Sequence, residues 1–129
     1  MKWNSRTQLL LGEEGVKKLA SSHVLVVGLG GVGAYAAEQL ARAGIGKMTI
    51  VDCDTVNVTN KNRQLLALDS TVGRPKVEVM AERIRDINPN VEVVALNQYL
   101  KDQSIIDLME QPFDYIVDAI DTLAPKVFL

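Results

Sequence analysis

Gly28, Gly30 and Gly33 fall in a Gly-x-Gly-x-x-Gly spacing directly after the apolar run 24–27. This spacing is suited to phosphate. The first glycine allows a tight turn, the second lets backbone approach an anion, and the third lets a helix pack closely on a strand. The free N–H groups at the start of the following helix favour negative charge. Asp52 closes the next apolar run, about twenty residues past the loop, where a carboxylate can accept hydrogen bonds from ribose hydroxyls. The same residues would also serve a plain tight turn and a capped strand end.

A nicotinamide dinucleotide is the default ligand of this pattern. Three further features pull towards ATP. Residues 60–64 read Asn-Lys-Asn-Arg-Gln, a polar cluster just past Asp52. Asn60 offers an amide there, and Arg63 a planar fork suited to phosphate. Lys76 follows Gly73-Arg74-Pro75 at a predicted helix start, where a cation is locally unfavourable unless an anion lies nearby. Asp121 follows the fourth predicted strand and could hold magnesium through oxygen. A solvated lysine and an N-capping aspartate are the bland alternatives. Taken together, these groups describe a triphosphate site with ribose, phosphate and metal contacts.

The elements that must position them alternate along the chain. Residues 1–20 carry helical apolar positions interrupted by Gly12 and Gly15, which predicts two short helices. Strands are predicted at 24–27, 47–52, 91–96 and 113–117. Helices are predicted at 34–43, from Pro75 to 87, and at 102–110, with Asp102 as a possible N-cap. Residues 54–63 lack periodicity and read as a loop with one helical turn. Strand–helix alternation with short connections predicts an α/β, Rossmann-like three-layer fold. Its mostly parallel sheet should have the order 3-2-1-4, with a ligand crevice at the carboxyl ends of strands 1 and 4.

Composition narrows the function classes. Hydrophobic residues are 47% and charged residues 23% of 129, which excludes a disordered chain. A net charge of −2 excludes a global basic footprint for nucleic acid, though not a local patch. The lone Cys53 excludes an internal disulfide and a cysteine-only zinc site. Its neighbours Asp52 and Asp54 disfavour a thiolate, so it reads as a bystander. His23 opens a strand and reads as structural. The aromatic residues form no base-stacking row with basic neighbours. No apolar run approaches the ~20 residues that span a bilayer, and no signal-like core follows the N-terminus, which predicts a cytoplasmic location without membrane contact.

The glycine loop 28–33, Asp52-Cys53-Asp54, the cluster 60–64, Val72-Gly73-Arg74-Pro75-Lys76 and the pair Asp118 and Asp121 together resemble the ThiF-type adenylating enzymes, relatives of the ubiquitin-activating enzymes. The resemblance runs over about residues 5 to 129. Within that family the chain is most similar to the tRNA threonylcarbamoyladenosine dehydratases, through Ser5-Arg6-Thr7-Gln8-Leu9, Gly12-Glu13-Glu14-Gly15 and the stretch from Arg83 to Pro89.

The resemblance implies binding of ATP and magnesium, and attack of a substrate carboxylate on the α-phosphate. Gly31 would lie against the nucleotide and Asp52 would bind ribose. Asn60, Arg63 and Lys76 would meet the phosphates, and Asp121 would help hold magnesium. Arg6 matches an arginine that reaches into a neighbouring subunit's site, which implies a homodimer. The substrate would be the threonyl carboxylate of a modified tRNA adenosine. Two alternatives stay open: the C-terminus of a ubiquitin-like sulfur carrier, and a nicotinamide oxidoreductase domain. Residues 1–129 are expected to be one ATP-binding domain, the N-terminal portion of a longer enzyme whose C-terminal part is missing, with 1–22 as a helical segment. A fragment of this kind could bind nucleotide without completing the reaction.

Overall fold

The computed structural model describes residues 2–120. Strands β1 (His23–Val27), β2 (Lys47–Asp52), β3 (Glu92–Asn97) and β4 (Tyr115–Asp118) form a parallel sheet in the order β3-β2-β1-β4. Helices α1 (Ser5–Ala20), α2 (Gly33–Ala43), α3 (Lys76–Ile87) and α4 (Asp102–Met109) accompany the strands, and a 3-10 turn spans Val58–Asn62. The α/β class and strand order are those expected from the pattern. In register, Val27 pairs with Val51 on one side and Asp118 on the other, so the strands end together at one edge.

The apolar runs are continuous because both sheet faces are covered. Val24 and Val26 face one core with Met48 and Ile50, under Ala37 and Ala41 of α2 and Met80 and Ile84 of α3. Leu25, Val27 and Val51 face the other core, with Leu100 and, from α4, Ile105 and Leu108. Small alanines at helical spacing let α2 lie close to the strands. Gly44 then ends α2 in the left-handed conformation that glycine adopts without strain. Gly12 breaks α1 with non-helical angles, so this stretch consists of the two short helices expected there.

Three local differences from the sequence pattern have physical causes. Leu9, Leu10 and Leu11 stay exposed, because no residue of α1 is buried in either core of the sheet. Lys101, rather than Asp102, is the N-cap of α4, with Ser104 Oγ accepting from its N–H at 2.8 Å. β4 starts at Tyr115 because Phe113 is diverted: its N–H bonds to the Gln111 carbonyl, and its ring packs 4.5 Å from that of His23. Among the described residues no helix is long and apolar enough to cross a membrane.

Candidate functional site

A cleft of about 370 Å³ opens at the carboxyl edge of the sheet. Gly28 and Gly30 line it after β1, and Asp52, Cys53 and Asp54 after β2. Asn60, Arg63 and Gln64 come from the β2–α3 connection, Lys76 from the start of α3, and Ala119 and Ile120 from beyond β4.

The glycines divide their work. Gly28 has a φ of +94°, and a Cβ there would lie 2.6 Å from the Ala119 carbonyl oxygen. Backbone from beyond β4 therefore crosses directly over this turn. At Gly33 a Cβ would meet the Gly28 carbonyl oxygen at 1.6 Å, so α2 can begin here only without a side chain. Gly33 is buried and stays out of the cleft wall, as does the exposed Gly31, where a Cβ would meet nothing within 4 Å.

Asp52 ties the glycine loop to β2. Its Oδ2 accepts from the Leu29 N–H and its Oδ1 from the Asp54 N–H, each at 2.7 Å. Each carboxylate oxygen keeps a further lone pair for a hydroxyl. These two backbone contacts hold the carboxylate in place before any ligand arrives.

The four cations between residues 61 and 76 separate into two kinds. Lys61 pairs with Asp69, and Arg74 pairs with Glu82 at 2.8 Å. Arg63 and Lys76, the two that line the cleft, have no carboxylate within 4.0 Å among the described residues. Arg63 Nη1 donates instead to Asn62 Oδ1 at 3.0 Å. Lys76 is only 5% exposed, so its stem is held in packed surroundings. Its backbone N–H donates to the Asp54 carbonyl at 3.0 Å, which anchors the start of α3 beside β2.

Asn60 is oriented by its own turn. Its Oδ1 accepts from the Asn57 N–H at 2.9 Å, which leaves Nδ2 as its free donor. Only an oxygen can face that N–H, so the amide's orientation is determined. The set of Asn60 Nδ2, Arg63, Lys76 and the amides at the start of α2 consists of donors and cations, and suits a multiply charged anion.

Gln98, Tyr99 and Leu100 complete the wall, although no sequence motif marks them as site residues. A signal for them exists all the same. Parallel strands present all their carboxyl ends to one side, so the loop after β3 has to join this edge as well. Arg6 lies exposed on α1, outside the lining of its own chain's cleft. Asp121, the metal ligand expected from the sequence, lies outside the described residues.

Asp52, Cys53 and Asp54 place their potential ligand atoms within 4.8 Å of one another. These donors do not suit magnesium. The thiol is soft and its neighbours keep it protonated, which makes it a poor ligand for a hard cation. Partial burial, then the charges of Asp54 and Asp52, pushes the Cys53 thiol above its usual range, so a thiolate is disfavoured.

Comparison with known proteins bears on this arrangement. The sequence model of the ThiF family matches residues 4–129. The tRNA threonylcarbamoyladenosine dehydratase of Bacillus subtilis (strain 168) is 49% identical over 125 residues, covering 97% of this chain and 49% of that protein. The crystal structure of the E. coli tRNA N6-threonylcarbamoyladenosine dehydratase in complex with ATP superposes with a TM-score of 0.94 at 46% identity, covering 97% of this chain and 51% of that one. The molybdopterin-synthase adenylyltransferase of Escherichia coli (strain K12) is 40% identical, covering 88% of this chain and 45% of that protein. The chain spans about half the length of the curated relatives it matches.

Proposed function

The chain belongs to the ThiF family, and from that premise we propose that it binds ATP in the cleft and serves the adenylation of a substrate carboxylate. The observation that carries this reading is the pair of cleft cations, Arg63 and Lys76, without carboxylate partners among the described residues while Lys61 and Arg74 are paired. A cleft built for a dinucleotide with only two phosphates needs fewer such groups.

In the proposed arrangement the loop Gly28–Gly33 seats the phosphates, with Gly28 and Gly30 in the wall, Gly31 beside the nucleotide, and Gly33 beneath. Asp52 receives the ribose hydroxyls. Asn60 Nδ2, Arg63 and Lys76 neutralise the triphosphate. A carboxylate oxygen of the substrate attacks the α-phosphorus, the bond to the β-phosphate oxygen breaks, and pyrophosphate leaves. The chain supplies position and positive charge, which is what phosphoryl transfer requires of a protein. Magnesium would add further neutralisation, and Asp121 is the residue assigned to it. Arg6 is assigned to the cleft of a second copy in a homodimer, a role consistent with its exposure outside its own cleft.

The substrate favoured is the threonyl carboxylate of threonylcarbamoyladenosine in tRNA, since identity to a relative named for that reaction reaches 49%. The activated acyl group then closes on itself and releases AMP, a net loss of water. The 36% identity over 122 residues to the sulfur carrier protein ThiS adenylyltransferase of Escherichia coli (strain K12) favours the second reading, activation of a ubiquitin-like sulfur carrier's C-terminus. On either reading residues 1–129 form the nucleotide-binding portion, with 1–22 as its helical lead, and the reaction takes place in the cytoplasm.

Calorimetric titration with ATP tests the site. Lys76→Ala and Arg63→Ala each remove a charge-assisted contact, and each is expected to weaken ATP binding about ten- to hundredfold. Unchanged ATP affinity in both variants refutes the assignment. Binding of NADH without binding of ATP refutes adenylation. The rise in AMP on adding modified tRNA, compared with a sulfur-carrier protein, separates the two substrates.

A further inference from the structure

Among the described residues Glu38 is the only buried carboxylate, and it stands outside the cleft wall. It lies on the inner face of α2, in a stripe otherwise made of Gly33, Ala34, Ala37 and Ala41. Burying a carboxylate is costly unless a partner and hydrogen bonds meet it. Arg83 of α3 supplies both, its Nε donating to Glu38 Oε1. Arg42, one turn further along α2, lies 3.8 Å from the same oxygen. A second polar tie joins the C-terminal ends of the two helices. Asn88, the residue after α3, is buried, and its Nδ2 donates to the carbonyls of Ile45 at 3.2 Å and Ala41 at 3.4 Å. Its Oδ1 accepts from the Asn90 N–H at 3.1 Å, so the orientation of the amide is determined.

Both helices connect parallel strands, so both begin at the carboxyl edge of the sheet. The start of α2 follows the glycine loop, and the start of α3 carries Lys76. A phosphate chain lying across the cleft has to satisfy both at once. Between the helices, Ala37, Ala41, Met80 and Ile84 share one apolar core. Apolar contact holds helices together but is non-directional, so it sets their axial register only loosely. A hydrogen-bonded ion pair and an oriented amide are directional, and fix that register. Resting on the nucleotide reading above, we propose that Glu38, Arg83 and Asn88 are positioning residues. They lock α2 and α3 into one body, and so set the span between the glycine loop and the Lys76 ammonium that a polyphosphate must match. None of the three lines the cleft, so they act through the helices they join. A misplacement of about 1 Å between binding groups can cost up to about a hundredfold in function.

Titration of the chain with ATP and with AMP, well below the melting temperature, tests this. ATP extends from the glycine loop towards Lys76, whereas AMP carries a single phosphate and does not need the span. Glu38→Ala and Arg83→Ala are each expected to weaken ATP binding about tenfold and to leave AMP binding within about twofold. Asn88→Ala should move the ratio of the two affinities in the same direction. Glu38→Gln keeps an oxygen that accepts from Arg83, so its ATP affinity should return to within about threefold of the unsubstituted chain. A purely structural role for the pair predicts equal losses for both nucleotides. Equal losses therefore overturn the proposal, as do unchanged ATP affinities in both alanine variants of the pair, or failure of both to fold. Failure of the unsubstituted chain to bind ATP overturns the nucleotide reading itself, and this proposal with it.

Discussion

Replacing Gly33 with alanine puts the packing of the glycine loop to a direct test. The added Cβ would fall 1.6 Å from the Gly28 carbonyl oxygen, 2.7 Å from its carbon and 3.2 Å from the Ala119 Cβ. The first contact is with backbone, so no side chain can swing away. Gly28 cannot yield freely either. Its φ of +94° suits glycine alone, and the Ala119 backbone lies across it. Overpacking costs about 1–3 kcal/mol where the neighbours can relax, and this site belongs at or above the top of that range. Alanine's better helix propensity returns about 1 kcal/mol at most. The net loss is then about 2 kcal/mol or more, which for a domain of this size is a fall of about 8 °C or more in melting temperature. Circular dichroism melts of the ligand-free chain measure it. Gly31→Ala is the matched control two residues away. Its Cβ meets nothing within 4 Å and its φ is not positive, so its midpoint should stay within about 2 °C. A Gly33→Ala variant that melts with the unsubstituted chain, or a Gly31→Ala variant that loses as much, refutes the packing argument.

Two further outcomes follow from the titratable groups. Burial, and then Lys47, lowers the His23 imidazole below its ordinary value, against the opposing pull of Asp114 and Glu92. The unfolded chain then binds a proton at a higher pH than the folded one, so this group's contribution is full above about pH 6.5, declines as pH falls towards the folded value, and levels off below it. His23 is the only histidine. Melting temperature should therefore drop modestly between about pH 7 and pH 5.5, and His23→Gln should flatten that slope; parallel profiles for the two proteins would remove His23 as the cause. The raised Cys53 thiol should alkylate more slowly at neutral pH than a free cysteine peptide, and saturating ATP should slow it again because the sulfur lines the cleft. Alkylation faster than the peptide, or indifferent to ATP, would contradict the site's geometry.

Much of this molecule is legible in its amino-acid sequence. The apolar runs end at polar residues that sit on one edge because the strands are parallel, and parallel strands follow from helices between them. The spacing of Gly28, Gly30 and Gly33 and the position of Asp52 are legible for the same reason: they are local consequences of one strand–loop–helix turn. Less legible are features that depend on distant partners. Leu9 and Leu10 have the apolar character of core residues and are exposed. Phe113 has the character of a strand residue and packs on His23 instead. Gln98, Tyr99 and Leu100 carry no motif, yet they form part of the cleft wall.

The sequence by itself determined the order of elements, the alternating core positions and the identity of the loop that seats an anion. Those depend on residues near one another in the chain, where periodicity and glycine spacing act directly. Tertiary structure decided which cations remain available. Lys61, Arg63, Arg74 and Lys76 are equivalent as a list of charges. Folding brings Asp69 to Lys61 and Glu82 to Arg74, and turns Arg63 and Lys76 towards the cleft. Charge is a property of the residue, but its availability depends on which carboxylate the fold places beside it.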